Sequence, residues 1–369
     1  MNRHINIVCS IFIFLLLSNA YASPGSGPRF QECVFPEPQE AICPGDHPGI
    51  ATTSQRSLSD SITFISGALT DAISLALGPR GLSAGSSYSS GINSYRMTGQ
   101  SAGNSFSNWS SWLSYGRTIT ENDNFFTESD ATLDSFLVGI DASPRENMIL
   151  GLAFGYENND IDTVFNAGEQ NIDGFTIAPY FGYLINQNFS VDLSIGYSSI
   201  DIDQFRLSTF DGLGLIINGD TDSDRWFVSG NLNAFKQVNN IAFSGRAGII
   251  YAEDDIDAIV EISRSTDAFN SKSQSVEFGQ FQIGAEVAYA AASLEPYASL
   301  FYEYDFEYED LLLNSGLGRA ANDDDDIRIS VGARYFGEQG FSAILEWNVI
   351  ADRQEYDSNT ISLTGRLDF

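Results

Sequence analysis

From Asn359 to Phe369 apolar and polar side chains alternate: Ile361, Leu363, Leu367 and Phe369 on one side, Thr360, Ser362, Thr364, Arg366 and Asp368 on the other. Successive side chains of a strand point to opposite faces, so this spacing predicts a strand with one greasy and one polar face. Earlier stretches repeat the pattern: Trp109–Arg117, Phe136–Ile140, Leu150–Tyr156, Phe175–Tyr183, Phe189–Tyr197 and Trp226–Asn233. Phe243–Tyr251, Phe281–Tyr289, Leu294–Tyr304, Ile327–Tyr335 and Phe341–Val349 continue it. The fifth is the clearest, with Phe189, Val191, Leu193, Ile195 and Tyr197 set against Ser190, Asp192, Ser194 and Gly196. With the closing stretch the count is twelve, an even number, as bacterial barrels need.

The connections alternate in length. Pro144–Asn147, Asn186–Asn188, Gln237–Asn240, Ala291–Ser293 and Gly337–Gly340 are short. Thr118–Ala131, Glu157–Asn171, Asp201–Ser223, Ala252–Ser275, Asp305–Asp326 and Ala351–Ser358 read as long acidic loops. Short turns inside and long loops outside is the outer-membrane arrangement, and a soluble sandwich has no reason to alternate this way. Aromatic residues mark both ends of the strands. Tyr183, Phe189, Phe235, Tyr289, Tyr335, Phe341 and Phe369 lie near the short turns, and Tyr156, Tyr197, Trp226, Tyr251 and Tyr304 near the long ones. Two such rings suit the two membrane interfaces. The predicted fold is therefore all-β: a 12-stranded antiparallel transmembrane β-barrel over residues 106–369.

Before the barrel the period changes. Ile62, Ile65, Leu69, Ile73 and Leu77 recur every three or four residues, Ser57 and Asp60 form a possible capping box, and Gly78-Pro79 ends the run. This predicts a short helix over Ser57–Leu77, either on a surface or within the barrel lumen. It shares residues 54–105 with a Gly/Ser-rich linker, and residues 23–53 form a short irregular segment.

Charge narrows the function classes. Against 49 Asp and Glu stand 18 Lys and Arg, which leaves no basic footprint for nucleic acid. The N-terminus reads as a secretory signal, with Arg3 and His4, an apolar run from Ile5 to Leu17, and Ala20-Tyr21-Ala22 as the cleavage site. Export leaves Cys33 and Cys43, an even count that favours one local disulfide.

Catalytic chemistry has little to work with. His4 and His47 are the only histidines, one in the signal and one outside the barrel, so no enzyme activity is expected. The clusters Glu253-Asp254-Asp255, Glu307 with Glu309-Asp310, and Asp323–Asp326 read as solvated loops, and neither a metal nor a cofactor is expected. The inward-facing Arg246, Arg328, Arg334 and Arg366, with Glu286, Glu303 and Glu346, are expected to form ion pairs that fill the lumen.

The ordered set Trp109/Leu113/Tyr115/Gly116, Phe136–Asp141, Leu150–Tyr156, Val331–Tyr335 and the terminal Phe369 resembles the autotransporter β-domain family of type V secretion. The resemblance covers Phe106–Phe369. It implies a twelve-stranded barrel in the outer membrane of a Gram-negative bacterium, with a helix threading its lumen. It also implies an N-terminal passenger carried to the cell surface. Leu363, Leu367 and Phe369 would then be the assembly signal, and Ser57–Leu77 the plug helix. The implied partners are outer-membrane lipid and lipopolysaccharide, the barrel-assembly machinery and periplasmic chaperones, with the barrel itself a monomer. Residues 23–53 are too few for the stacked coils of a β-helical passenger, and the helix lacks the asparagine that self-cleaving members use. The expectation is a barrel that translocates or displays a very short segment, or a passenger-less surface barrel. The alternative is a narrow pore or adhesin-like barrel with acidic extracellular loops.

Overall fold

The computed structural model describes residues 50–77, 109–123, 128–207, 215–262, 273–308, 324–337 and 340–369. The signal over residues 1–22, Cys33, Cys43 and the Gly/Ser-rich tract lie outside the described residues.

Helix α1 (Ile50–Leu77) precedes β1 (Trp109–Asn122), β2 (Ser129–Arg145), β3 (Met148–Thr163), β4 (Gly168–Asn186), β5 (Phe189–Leu207) and β6 (Ile216–Val238). Then come β7 (Ile241–Ile256), a three-residue β8 (Val260–Ile262), β9 (Gln274–Tyr289), β10 (Leu294–Tyr308), β11 (Asp325–Phe336), β12 (Phe341–Ala351) and β13 (Tyr356–Asp368). Each long strand pairs antiparallel with its neighbours in the chain, β7 pairing with β9. β8 is a spur on the far end of β6, at Asn218–Asp220. The seam closes where β1 meets β13, in register from Ser110↔Asp368 to Asn122↔Tyr356. The Phe369 N–H then donates to the Trp109 carbonyl at 3.0 Å. The result is a closed barrel of twelve long strands.

The strands run further than their apolar stretches. A long loop over Glu157–Asn171 is not what forms: β3 continues to Thr163, a 3₁₀ turn spans Val164–Asn166, and β4 starts at Gly168. The alternation persists there with its sign reversed. Outward positions change from Leu150, Phe154 and Tyr156 to Asp160 and Asp162, while Ile161 and Ile172 are buried inward. The same reversal carries β5 to Leu207 and starts β6 at Ile216, where Asp220, Asp222 and Asp224 face out and Ile217 faces in. Elsewhere on this rim β1 reaches Asn122 and β2 resumes at Ser129, β7 reaches Ile256 and β9 resumes at Gln274. β10 likewise reaches Tyr308 before β11 begins at Asp325, and only Asp352–Glu355 separate β12 from β13. A tilted strand crosses a bilayer in about 9–11 residues. β6 has 23, so a large part of it stands beyond the membrane.

The membrane-facing surface carries exposed Leu113, Val138, Leu193, Ile283 and Leu345, a belt that water would not tolerate around a soluble barrel. At the short-turn rim Phe189, Tyr289, Tyr335, Phe341 and Phe369 are exposed. Phe235 is not part of that ring. It shares the parity of Asn231 and Asn233 on β6 and lines the lumen. At the opposite rim, aromatic side chains donate to carboxylates on the next strand: Tyr115 to Asp134 at 2.7 Å, Trp226 to Glu253 at 3.0 Å and Tyr302 to Asp325 at 3.0 Å. These pairs mark the level where the outer face turns from apolar to acidic.

Candidate functional site

The lumen is occupied by α1. The helix touches β1, β2, β3, β4, β5, β7, β9, β12 and β13, so strands surround it on all sides. Its 28 residues give a length of about 42 Å at about 1.5 Å per residue. Its stretch Gln55–Leu77 is long and apolar enough to cross a membrane by length and composition alone, and it lies inside the barrel.

The helix starts at Ile50, seven residues before the expected Ser57, and this moves the Ser57/Asp60 pair from a cap to the helix interior. Small polar residues would be weak helix formers there in water. Here the wall supplies their partners. Asn159 donates to Ser57 at 3.1 Å, while Asp60 accepts from Tyr356 at 2.8 Å and from Thr120 at 3.0 Å. Thr53 donates to Gln170 at 2.8 Å, and Ser61 bonds to Glu157 and accepts from Arg225 at 2.7 Å. Lower down, Asn231 donates to Thr70 at 3.2 Å and Arg366 to the Ala72 carbonyl at 3.4 Å.

One face of the helix is apolar. Leu58, Ile62, Ile65, Leu69, Ala72 and Ile73 are buried against the wall, in one core with Trp112, Leu137, Ala178, Tyr180 and Phe227. Each large aliphatic side chain removed from water contributes about 1.5–3 kcal/mol, so the face holds the helix to one side of the lumen. Gly182 on β4 permits that approach: a Cβ there would lie 2.7 Å from Ile73 Cγ2 and 2.9 Å from Leu77 Cδ1.

The polarity of α1 follows from these contacts. Thr53 and Asp60 meet Gln170 near the start of β4 and Tyr356 at the start of β13, both at the long-loop rim. Ile73 and Leu77 approach Gly182, near the end of β4 at the short-turn rim. The N-terminal end of the helix therefore points to the rim that carries the acidic strand extensions, and its C-terminal end to the rim where β1 begins.

Buried ion pairs brace the wall. Arg225 bridges Glu157 at 2.9 Å and Asp254 at 3.1 Å, and Arg353 bridges Asp305 at 2.5 Å and Asp326 at 2.8 Å. Arg206 pairs with Glu261 at 2.8 Å. Of the arginines singled out from the sequence, Arg328 meets Glu303 at 2.8 Å and Arg334 meets Glu286 at 2.6 Å. Arg366 instead reaches Asp141 on β2 at 2.7 Å, across β1. Arg246 donates to Asn233 at 3.2 Å and lies over the Phe301 ring, while Glu346 accepts from Tyr297 at 2.7 Å. Leu363, Leu367 and Phe369 are exposed on the outer face of β13.

Sequence reasoning missed Arg206, Arg225 and Arg353, along with Asp141, Glu157 and Asp254. The expectation that Glu253-Asp254-Asp255 and Asp323–Asp326 are solvated loops is corrected for Asp254 and Asp326, which are buried on β7 and β11 because their parity turns them inward. Inward parity was the available signal for five of the six; Arg353 lies in the turn between β12 and β13, where strand parity does not apply. No group of three or more metal-ligating side chains occurs among the described residues.

Comparison with known proteins places this architecture. The family model described as "Autotransporter beta-domain" matches residues 86–348. No curated protein matches the chain. Among solved structures, the translocator domain of the autotransporter NalP from Neisseria meningitidis superposes with a TM-score of 0.69 at 11% identity, covering 88% of this chain and 100% of that one. The beta domain of the Bordetella autotransporter BrkA superposes with a TM-score of 0.58 at 14% identity, covering 71% of this chain and 100% of that one.

Proposed function

The chain belongs to the autotransporter β-domain family, an outer-membrane barrel of Gram-negative bacteria, and from that premise we propose that it holds the segment preceding α1 at the outer surface of the cell. The observation that carries this reading is the polarity of α1, whose N-terminal end lies at the rim of the acidic extensions. A chain leaving that end emerges outside, while the C-terminal end returns toward β1 at the periplasmic rim. The role is translocation and display of a short segment, with no catalytic step assigned to the barrel. Insertion would use the barrel-assembly machinery and periplasmic chaperones, with Leu363, Leu367 and Phe369 as the recognised signal. The inserted barrel would be a monomer in contact with lipid and lipopolysaccharide.

An epitope placed between Cys33 and Cys43 tests the reading in intact cells. Antibody binding and protease sensitivity without permeabilisation are expected. An epitope reached only after permeabilisation, with the barrel correctly inserted, overturns display.

A further inference from the structure

The short turns pin the register of their hairpins, because a turn of fixed length leaves its two strands one way to pair. β1 and β13 have no such guide. They come from opposite ends of the barrel sequence and meet over a ladder from Ser110↔Asp368 to Asn122↔Tyr356.

Most side chains on that ladder do not tell one register from the next. A slip of one residue is excluded, since it would turn the polar side chains of β13 toward lipid. A slip of two keeps every side chain on its face and moves β13 by about 6.8 Å, two steps of about 3.4 Å. On the lumen side the native ladder joins Ser114 to Thr364 and Thr118 to Thr360 through hydroxyl pairs, each at 2.9 Å. A slip of two places Ser362 opposite Ser114 in one direction and opposite Thr118 in the other, so hydroxyls again meet hydroxyls. On the outer face Leu113 would meet Leu363 or Leu367. The ladder by itself therefore accepts three closures.

Arg366 accepts only one. Its partner lies beyond β1, on β2: the guanidinium donates through Nη2 to Asp141 Oδ1 at 2.7 Å and through Nη1 to Asp141 Oδ2 at 2.8 Å. β1 runs between them, with Trp112 opposite Arg366 and Ser110 opposite Asp141. The carboxylate is oriented by groups outside β13. Tyr180 of β4 donates to Asp141 Oδ2 at 2.8 Å, and Trp112 donates its indole N–H to the Tyr180 hydroxyl at 2.6 Å. All four side chains are buried. β1, β2 and β4 thus build a socket for the guanidinium, and a slip of two carries Arg366 about 6.8 Å along the seam, away from it. Asp141 would then hold a buried charge without its cation, which the wall does not tolerate. Arg366 also donates to the Ala72 carbonyl of α1 at 3.4 Å, so the seated helix rests on the same group.

We propose that Arg366 and Asp141 are the register lock of the barrel, selecting one closure of the β1–β13 seam from the three that the rest of the ladder accepts. The inference rests on the seam and does not depend on where residues 23–49 lie.

Disulfide trapping reads the register directly, in a chain carrying Cys33→Ser and Cys43→Ser, with heat-modifiable gel migration as the check on folding. Ser114→Cys with Thr364→Cys reports the native seam. Ser362→Cys with either Ser114→Cys or Thr118→Cys reports the two slips, since in the native seam these positions are diagonal, about 7–8 Å apart and beyond disulfide reach. With Arg366 and Asp141 intact, only the native pair is expected to cross-link. Arg366→Gln combined with Asp141→Asn removes the lock without stranding a charge. Folded barrels of that variant should gain a slipped cross-link and lose part of the native one. A folded double variant that cross-links only at the native pair overturns the proposal, as do slipped cross-links in the presence of the intact Arg366–Asp141 pair. Tyr180→Phe, which takes one donor from Asp141 and keeps the ring, is the second variant should the double variant not insert. It is expected to show a smaller slipped share, and the native cross-link alone would overturn the proposal there too.

Discussion

Arg225 on β6 and Glu157 on β3 meet at 2.9 Å with two strands between them in the barrel, and Ser61 of α1 sits in the same contact. The pair is a strut across the curve of the wall, tied to the helix. Both groups are almost fully buried, so removing one strands the other's charge.

Arg225→Ala should therefore destabilise the folded barrel by about 3–5 kcal/mol, the usual cost of orphaning a buried partner. Replacing Arg225, Glu157 and Asp254 together with apolar residues of similar volume should recover most of that loss. Denaturant midpoints followed by gel mobility would separate the two; equal losses in the single and triple variants would mean the strut acts through packing alone.

Deleting residues 50–77 should turn a closed lumen into a wide pore. Conductance through the shortened barrel is expected to rise well above that of the intact chain, because the apolar wall around Leu137 and Phe227 loses the helix that covers it. An unchanged conductance would show that α1 does not occlude the lumen.

Gly182 and Gly230 give a paired prediction. A methyl at Gly182 enters the space of Ile73 and Leu77, whereas one at Gly230 has nothing nearer than 3.7 Å. Gly182→Leu should cost about 1–3 kcal/mol through overpacking and push the lower helix off the wall. Gly230→Ala should be close to neutral. Thermal migration shifts of the two variants provide the comparison.

Removal of Phe369 should depress outer-membrane levels far more than its packing explains. Burying an aromatic ring is worth about 1.5–3 kcal/mol, and this one is 55% exposed to begin with. A chain lacking Phe369 that inserts at normal levels would argue against a role for the terminal residue in recognition.

The period-two pattern made the twelve strands and the lumen-facing side chains legible, since parity needs no knowledge of neighbours. Ion-pair partners were not legible for the same reason. Parity turns Arg366 inward, but only the stagger between β13 and β2 brings it to Asp141 rather than to a glutamate. The strand extensions hid because composition and alternation disagree there: Asp160 and Asp162 look like loop residues while Ile161 keeps the strand period. The true start of α1 hid because Ser57 and Asp60 resemble a cap, and their interior position makes sense only with Asn159 and Tyr356 beside them. Phe235 was misplaced by counting aromatics near turns without following the parity of β6.

Closure of the seam has a consequence for biosynthesis. Ser114 and Thr364 share a hydrogen bond at 2.9 Å across 250 residues of chain. No partial chain has that contact, so β1 must wait with one unpaired edge until β13 arrives. A chain stopped anywhere short of β13 exposes β1 as a sticky edge. The seam thus makes closure conditional on length, since only a chain that reaches β13 can cover the open edge of β1.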